Sequence, residues 1–379
     1  MRICVYLAIL SLAASTAEKP SGGLGLTVDE DGTLLKDGIP YRGFGVNYFD
    51  AFHRVLLDPN NTSYEAGFRE LASYGIPFAR VMFTGFWPSN MKLYMESKEA
   101  YFQRMDAVVK SAEDNGIGLI PSLFWYDGAV PDIVAESRDQ WGNPESKTHA
   151  FMRNYVREVV TRYKDSPAIW GWELGNEYNL DADLPNAAEH RPKIVPHLGT
   201  LTSRSERDDL THEMLHTTFV EFAKEVRKYD PHRIISTGNS IPRASAWHQR
   251  EENSWTRDNY EQTFEILAEQ NPDPSDVISI HTYQDVQDRI PQMMEMSKKL
   301  KKLLFIGEFG VPDEGPEVEM AFANLLATIE KERVPLAALW VYDLDRQPGY
   351  TVTGSNARAY QLKALAEANK RIWEARSSE

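Results

Sequence analysis

The stretches AIWGWELGNE (168–177) and KLLFIGEFG (302–310) decide how the rest of the chain is read. Each is an apolar run of strand length, too short for a helix, and each carries a glutamate at or near its end. Six further runs share that form: YRGFGVN (41–47), FARVMF (78–83), IGLIPSLF (117–124), HRIISTG (232–238), DVISIHTY (276–283) and PLAALWVY (335–342). The segments between them have helical spacing. Phe102, Met105, Val108 and Val109 follow the second run, and Phe219, Phe222, Val226 and Tyr229 follow the fourth. Strands alternating with helices through a whole chain imply a parallel sheet, and eight such units imply closure. The expected fold class is therefore α/β, a (β/α)8 TIM barrel, with one domain over residues 18–379 because no Pro/Gly/Ser-rich linker interrupts the series. Residues 18–40, with turns at Asp31-Gly32 and Asp37-Gly38, are expected to form a strand pair that plugs the barrel bottom.

Connections differ in length by strand end. Segments 84–98, 125–147, 178–205 and 239–258 follow strands and are long, whereas returns into strands, such as Tyr74–Pro77 and Asn115-Gly116, are short. Long loops gathered where parallel strands end mark the functional face of such a barrel.

The first residues, Met1 and Arg2 followed by an apolar run to Ala14 and the small residues Ser15, Thr16 and Ala17, read as a secretory signal over 1–17, which places the protein outside the cell or in a periplasm. That run is too short to span a bilayer, so no membrane anchor is expected. The single cysteine, Cys4, falls inside this leader, which leaves the mature chain without a disulfide or a cysteine metal site. A formal net charge of -15 repels nucleic acid and anionic membranes and suits a neutral partner. A monomer is expected. Asn60-Asn61-Thr62-Ser63 contains two overlapping glycosylation sequons, relevant only in a glycosylating host.

Glu177 and Glu308 stand at the C-terminal lips of the fourth and seventh strands, where side chains converge over a barrel mouth. Two carboxyls so placed can divide a glycosidic cleavage between them, one protonating the departing oxygen and one attacking the anomeric carbon. Glu173 is the internal rival, but it lies four residues lower on the strand and reads as a buried acid paired with an arginine.

Over essentially the whole mature chain the sequence resembles glycoside hydrolase family 5, within the clan of barrel glycosidases that carry an acid/base after strand four and a nucleophile after strand seven. The resemblance rests on Asn176-Glu177 and on the Gly307–Gly310 segment. It implies Glu177 as acid/base and Glu308 as nucleophile. Position by position, it implies that Arg80 hydrogen-bonds the nucleophile, although a core role neutralising Glu173 is the alternative. Asn176 would bind the sugar's 2-hydroxyl, Tyr283 would orient Glu308, and His281 would sit near Glu177 or the substrate. Trp340 would floor the cleavage subsite, since sugar C–H faces pack on aromatic rings. Arg80 and Tyr283 are expected to keep Glu308 charged, while burial and that charge keep Glu177 protonated.

Strand three departs from the family. Many members end it in a histidine, whereas this chain reads Ser122 to Asp127 with Trp125 and Tyr126 in that place. Trp87, Trp141, Trp247 and Trp255 in the long loops are candidate sugar platforms. The segment 178–205, with Asp181, Asp183, His190 and His197, could close over a cleft, but its spacing is not that of a metal site. No metal and no cofactor are expected. The expected activity is endo-acting cleavage of a β-1,4-linked polysaccharide, mannan or glucan, with net retention. The alternatives are an exo-acting glycosidase or transglycosylase on oligosaccharides, with 178–205 blocking one end of the cleft, and a non-catalytic carbohydrate-binding barrel.

Overall fold

The computed structural model describes residues 24–283 and 286–376; the leader expected over 1–17, with Cys4, lies outside them. Three short antiparallel strands come first, β1 (Leu26–Val28), β2 (Leu34–Lys36) and β3 (Ile39–Pro40). The expected pair thus gains a third strand, because Asp37 and Gly38 both take positive φ and turn the chain back along β2. Leu26 and Leu34 are buried against Phe78, Ile120, Trp170 and Phe305, and the Leu26 N–H donates to the Trp170 carbonyl at 2.8 Å. This ribbon closes the bottom of the barrel.

Eight parallel strands follow: β4 (Gly43–Asn47), β5 (Phe78–Met82), β6 (Gly118–Phe124), β7 (Gly171–Gly175), β8 (Ile234–Ser236), β9 (Val277–Tyr283), β10 (Leu303–Gly310) and β11 (Leu336–Leu339). Each lies within or against the run expected for it. Their hydrogen-bonded order is β8-β7-β6-β5-β4-β11-β10-β9, so the barrel is continuous except for a seam between β8 and β9. Side chains stitch that seam. Asn271 Oδ1 accepts from Thr237 Oγ1 at 3.0 Å and from Ser279 N at 3.1 Å, and Asp276 accepts from Ile235 N at 2.9 Å while its own N–H donates to the Ile235 carbonyl at 3.2 Å.

Period-two alternation sorts every strand into an outer and an inner face. On β5, Ala79 and Val81 face the helix layer, while Phe78, Arg80 and Met82 face inward. The helices return the favour: His212–Tyr229, capped by Thr211 accepting from Met214 N, buries Leu215, Phe219, Phe222 and Val226 on one stripe. Each such side chain contributes about 1.5–3 kcal/mol by leaving water. The interior has three levels. The lowest is apolar, the middle holds Asn47, Arg80, Glu173 and Ser236, and the top is aromatic, with Phe49, Trp125 and Trp340 in contact. Among the described residues, no helix is long and apolar enough to cross a membrane.

Candidate active site

The middle level is organised by one side chain. Arg80, at 0% exposure, donates through Nε to Glu173 Oε1 at 2.7 Å and through Nη1 to Glu308 Oε1 at 2.8 Å and Asn47 Oδ1 at 3.1 Å. Its Nη2 donates to Asn176 Oδ1 at 2.9 Å. Arg80 thus meets both glutamates weighed as its partners, and Glu173 is fully buried beneath it. Burial opposes the charge on Arg80, but Glu173 and Glu308 outweigh it and hold the guanidinium above its ordinary range. The Trp125 ring covers the guanidinium carbon at 4.4 Å, shielding the cation on its open side.

Glu308 takes its second partner from β9, where the Tyr283 hydroxyl donates to Oε2 at 2.6 Å. Burial and the neighbouring Glu308 push Tyr283 well above the phenol range, so it stays a neutral donor. Glu177 leaves β7 in the left-handed region, φ 56° and ψ 25°, a conformation costly for a side chain bearing a Cβ and characteristic of functional positions. Its N–H donates to the Gly238 carbonyl at 2.9 Å, and Gly238, at φ 76°, is pressed so close to the Gly175 carbonyl that no Cβ would fit. The strain is thus held by the neighbouring strand end.

His281 joins the two acids: its Nδ1 lies 2.9 Å from Glu177 Oε1 and 3.6 Å from Glu308 Oε2. Oxygens of Glu177 and Glu308 come within 4.8 Å of each other. Burial alone would raise Glu177, but the hydrogen bond and charge of His281, then Ser240 and Arg80, outweigh it and hold the carboxyl below its ordinary value. This corrects the expectation that burial and the charge of Glu308 keep Glu177 protonated: the imidazole beside the carboxyl outweighs burial. Glu177, His281 and Glu308 are also, among the described residues, the one cluster close enough to grip a metal. Arg80 already supplies Glu308 with a cation, so the set reads as a proton-handling pair.

Above these groups lies a cavity of about 410 Å³, lined by Phe49, Phe86, Trp125, Asn176, Glu177, Tyr283, Glu308 and Trp340, with Leu344, Arg346, Gln347 and Tyr350 from the loop after β11. Trp340 forms one wall, stacked on Trp125 with centroids 6.0 Å apart, and its indole N–H donates to Gln347 at 2.6 Å. Tyr126 is not brought in; it stacks on Phe86 at 5.3 Å, outside the lining. None of the four loop tryptophans lines the cavity either. Trp141 is fully buried, donating to the Asp127 carbonyl at 2.8 Å, so it packs a loop and offers no platform. Segment 178–205 contributes nothing to the lining: Asp181 binds Arg138 at 3.1 Å, Asp183 binds His212 at 2.7 Å, and Gly199 lies against Pro88.

Sequence reasoning missed Phe49, Phe86, Ser240, Leu344, Arg346, Gln347 and Tyr350. The one local signal was Pro348-Gly349, which turns the loop after β11 so that Tyr350 N–H meets the Gln347 carbonyl at 2.9 Å.

The chain matches the cellulase family, glycosyl hydrolase family 5, over residues 37–342. It is 28% identical over 192 residues to a probable mannan endo-1,4-beta-mannosidase C of Aspergillus terreus, an alignment covering 48% of this chain and 41% of that protein. The chain thus spans well under half the length of that relative. Among solved structures, the endo-1,4-beta-mannanase of Rhizomucor miehei superposes with a TM-score of 0.66 at 17% identity, covering 92% of this chain and 99% of the other. An exo-beta-1,4-mannosidase from Opitutaceae bacterium strain TAV5 superposes with a TM-score of 0.63 at 15% identity, covering 91% and 62%. At such identities the structural likeness speaks for the fold.

Proposed function

The chain belongs to glycosyl hydrolase family 5, and from that premise we propose that it is an exported, retaining, endo-acting β-1,4-mannanase. The observation that carries the proposal is the pair of glutamates whose oxygens come within 4.8 Å, Glu308 fixed by Arg80 and Tyr283. Double displacement uses carboxyls about 5–5.5 Å apart, whereas single displacement leaves about 6.5–9.5 Å for a water. The gap here supports the former.

In the proposed reaction the sugar packs on Trp340 and its 2-hydroxyl meets Asn176. Glu308 attacks the anomeric carbon as Glu177 gives its proton to the departing oxygen, forming a glycosyl ester. Water, deprotonated by Glu177, then attacks the same carbon, returning Glu308 and a product of unchanged configuration. The first step needs a proton on Glu177, which the free enzyme disfavours. A bound sugar expels the water around that carboxyl and strengthens the raising effect of burial, so protonation accompanies binding.

The pH profile tests this coupling. His281→Gln removes the imidazole that does most to lower Glu177. The alkaline limb of kcat/KM, which follows loss of the acid's proton, is expected to move to higher pH in that variant. A limb that stays where it is in the parent would separate His281 from the acid.

Mannan is preferred over glucan because the first relative and neighbour above carry mannan-cleaving names. Endo action is favoured because 178–205, the segment that would have blocked one end, does not reach the cavity. The deciding assay offers galactomannan, glucomannan, carboxymethyl cellulose and mixed-linkage glucan to the purified protein and follows product lengths. Release of mixed oligosaccharides from the mannans is the expected result; activity confined to short aryl glycosides would replace the endo reading with an exo one.

A further inference from the structure

Beyond their upper ends, β7 and β8 are joined by a side chain that behaves as backbone. Asn179, two residues after Glu177, accepts from Ser240 N through Oδ1 at 3.0 Å and donates through Nδ2 to the Ser240 carbonyl at 2.9 Å. Ser240 stands two residues after Gly238, whose carbonyl holds the Glu177 N–H, so the carboxamide repeats that cross-link one step higher. The Ser240 hydroxyl in turn hydrogen-bonds the Glu177 carboxyl, which makes it a side-chain partner of the acid alongside His281.

Behind Asn179 the hydrogen bonds continue. Its Nδ2 also donates to Gln270 Oε1 at 2.9 Å, Gln270 Nε2 lies 3.1 Å from His212 Nε2, and His212 Nδ1 lies 2.7 Å from Asp183 Oδ2. The Gln270 carbonyl accepts from Asn239 Nδ2 at 2.7 Å, tying the same glutamine to the residue before Ser240. Asn179, Ser240, Gln270 and His212 are all buried, and none of them lines the cavity.

The direction of every link is forced. A peptide N–H can only donate and a carbonyl only accept, so the Ser240 backbone sets which way the Asn179 carboxamide faces. The second Nδ2 hydrogen then needs an acceptor, which turns Gln270 with Oε1 towards Asn179 and its amide nitrogen towards His212. That nitrogen donates, so His212 Nε2 is bare and the ring proton sits on Nδ1, facing the Asp183 carboxylate. Asp183 also accepts from His212 N at 2.8 Å. A buried polar network with every member satisfied rigidifies one arrangement, and a single broken link is costly.

Resting on the functional reading above, we infer that Asn179, Gln270 and His212 are positioning residues for the general acid: a one-way series of hydrogen bonds that holds the Ser240 hydroxyl on the Glu177 carboxyl and so fixes its aim at the departing oxygen.

Two leaving groups on one sugar test this. Phenol release from phenyl and 2,4-dinitrophenyl β-glycosides of a β-1,4-linked mannotriose gives kcat/KM for wild type, Asn179→Leu, His212→Leu and His212→Gln, each at its own pH optimum. Phenol needs the acid's proton to depart, whereas dinitrophenolate departs without it. The phenyl-to-dinitrophenyl ratio is expected to fall about tenfold in both leucine variants, the scale of a lost hydrogen bond to a charged group. His212→Gln, whose Oε1 can accept from Gln270 as Nε2 does, is expected to keep the wild-type ratio. The ratio cancels the fraction of enzyme that has folded, so a merely unstable variant does not move it. The alkaline limb for the phenyl substrate is expected to move to higher pH in the leucine variants, because Glu177 loses a donor that favours its charged form. Equal losses on both substrates, a limb that stays in place, or a His212→Gln ratio as low as that of His212→Leu overturns the positioning role while leaving the enzyme reading intact. A wild type inert on both substrates overturns the enzyme reading, and the positioning role falls with it.

Discussion

Glu308→Ala is expected to lose about 10⁶-fold in kcat, the scale reached when an enzyme working through a covalent intermediate loses its nucleophile. The loss should be catalytic and not structural: Arg80 keeps Glu173, Asn47 and Asn176, so the buried cation is not orphaned and the fold persists. Azide separates the roles of the two acids. In Glu308→Ala it can enter the vacated space and attack directly, giving a glycosyl azide of inverted configuration. In Glu177→Ala, with a substrate whose leaving group departs without protonation, Glu308 still forms the ester and azide then displaces it, giving retained configuration. Anomeric analysis of the two azides is the measurement. Activity surviving in Glu308→Ala, or the same configuration from both variants, would sink the assignment.

Arg80→Met should be the most destabilising single change in the barrel, by about 3–5 kcal/mol, because it leaves Glu173 and Glu308 buried without their cation. The comparison that isolates the electrostatic cause is Arg80→Met with Glu173→Leu. Removing both members of a buried pair costs less than removing one, so the urea midpoint of the double variant should recover part of the loss. Activity should not recover, since Glu308 still lacks one of its two anchors. A double variant as unstable as Arg80→Met would shift the explanation from unpaired charge to lost packing against Trp125.

The barrel was legible because its signal is local and repeated: eight apolar runs, each with its helix, carry the fold without reference to one another. The positions of Glu177 and Glu308 were legible for a related reason, since each stands at the upper end of a strand, whereas Arg80, His281 and Tyr283 were reached through the family resemblance, and the structure brings all three to the two acids. The failures are non-local. Trp141 lies in the polar stretch Arg138–Gly142, and its burial comes from Phe124 and Tyr178, distant in sequence. Tyr126 differs from Trp125 by one residue and so points elsewhere, towards Phe86. The loop carrying Arg346 and Gln347 has no apolar period to betray it. The lowered Glu177 needed the distance to His281, which no spacing in the chain supplies, being 104 residues away.

The seam between β8 and β9 has a consequence for stereochemistry. β7 and β10, which carry Glu177 and Glu308 at their upper ends, each stand one strand in from a lip of that seam. Any gaping there pulls the two carboxyls apart, and the difference between one inversion at the anomeric carbon and two is a matter of only about 1–4 Å. In the proposed double displacement, Asn271 and Asp276, which lie outside the cavity lining, would therefore be the clasp that holds the two carboxyls at the separation a retained product needs.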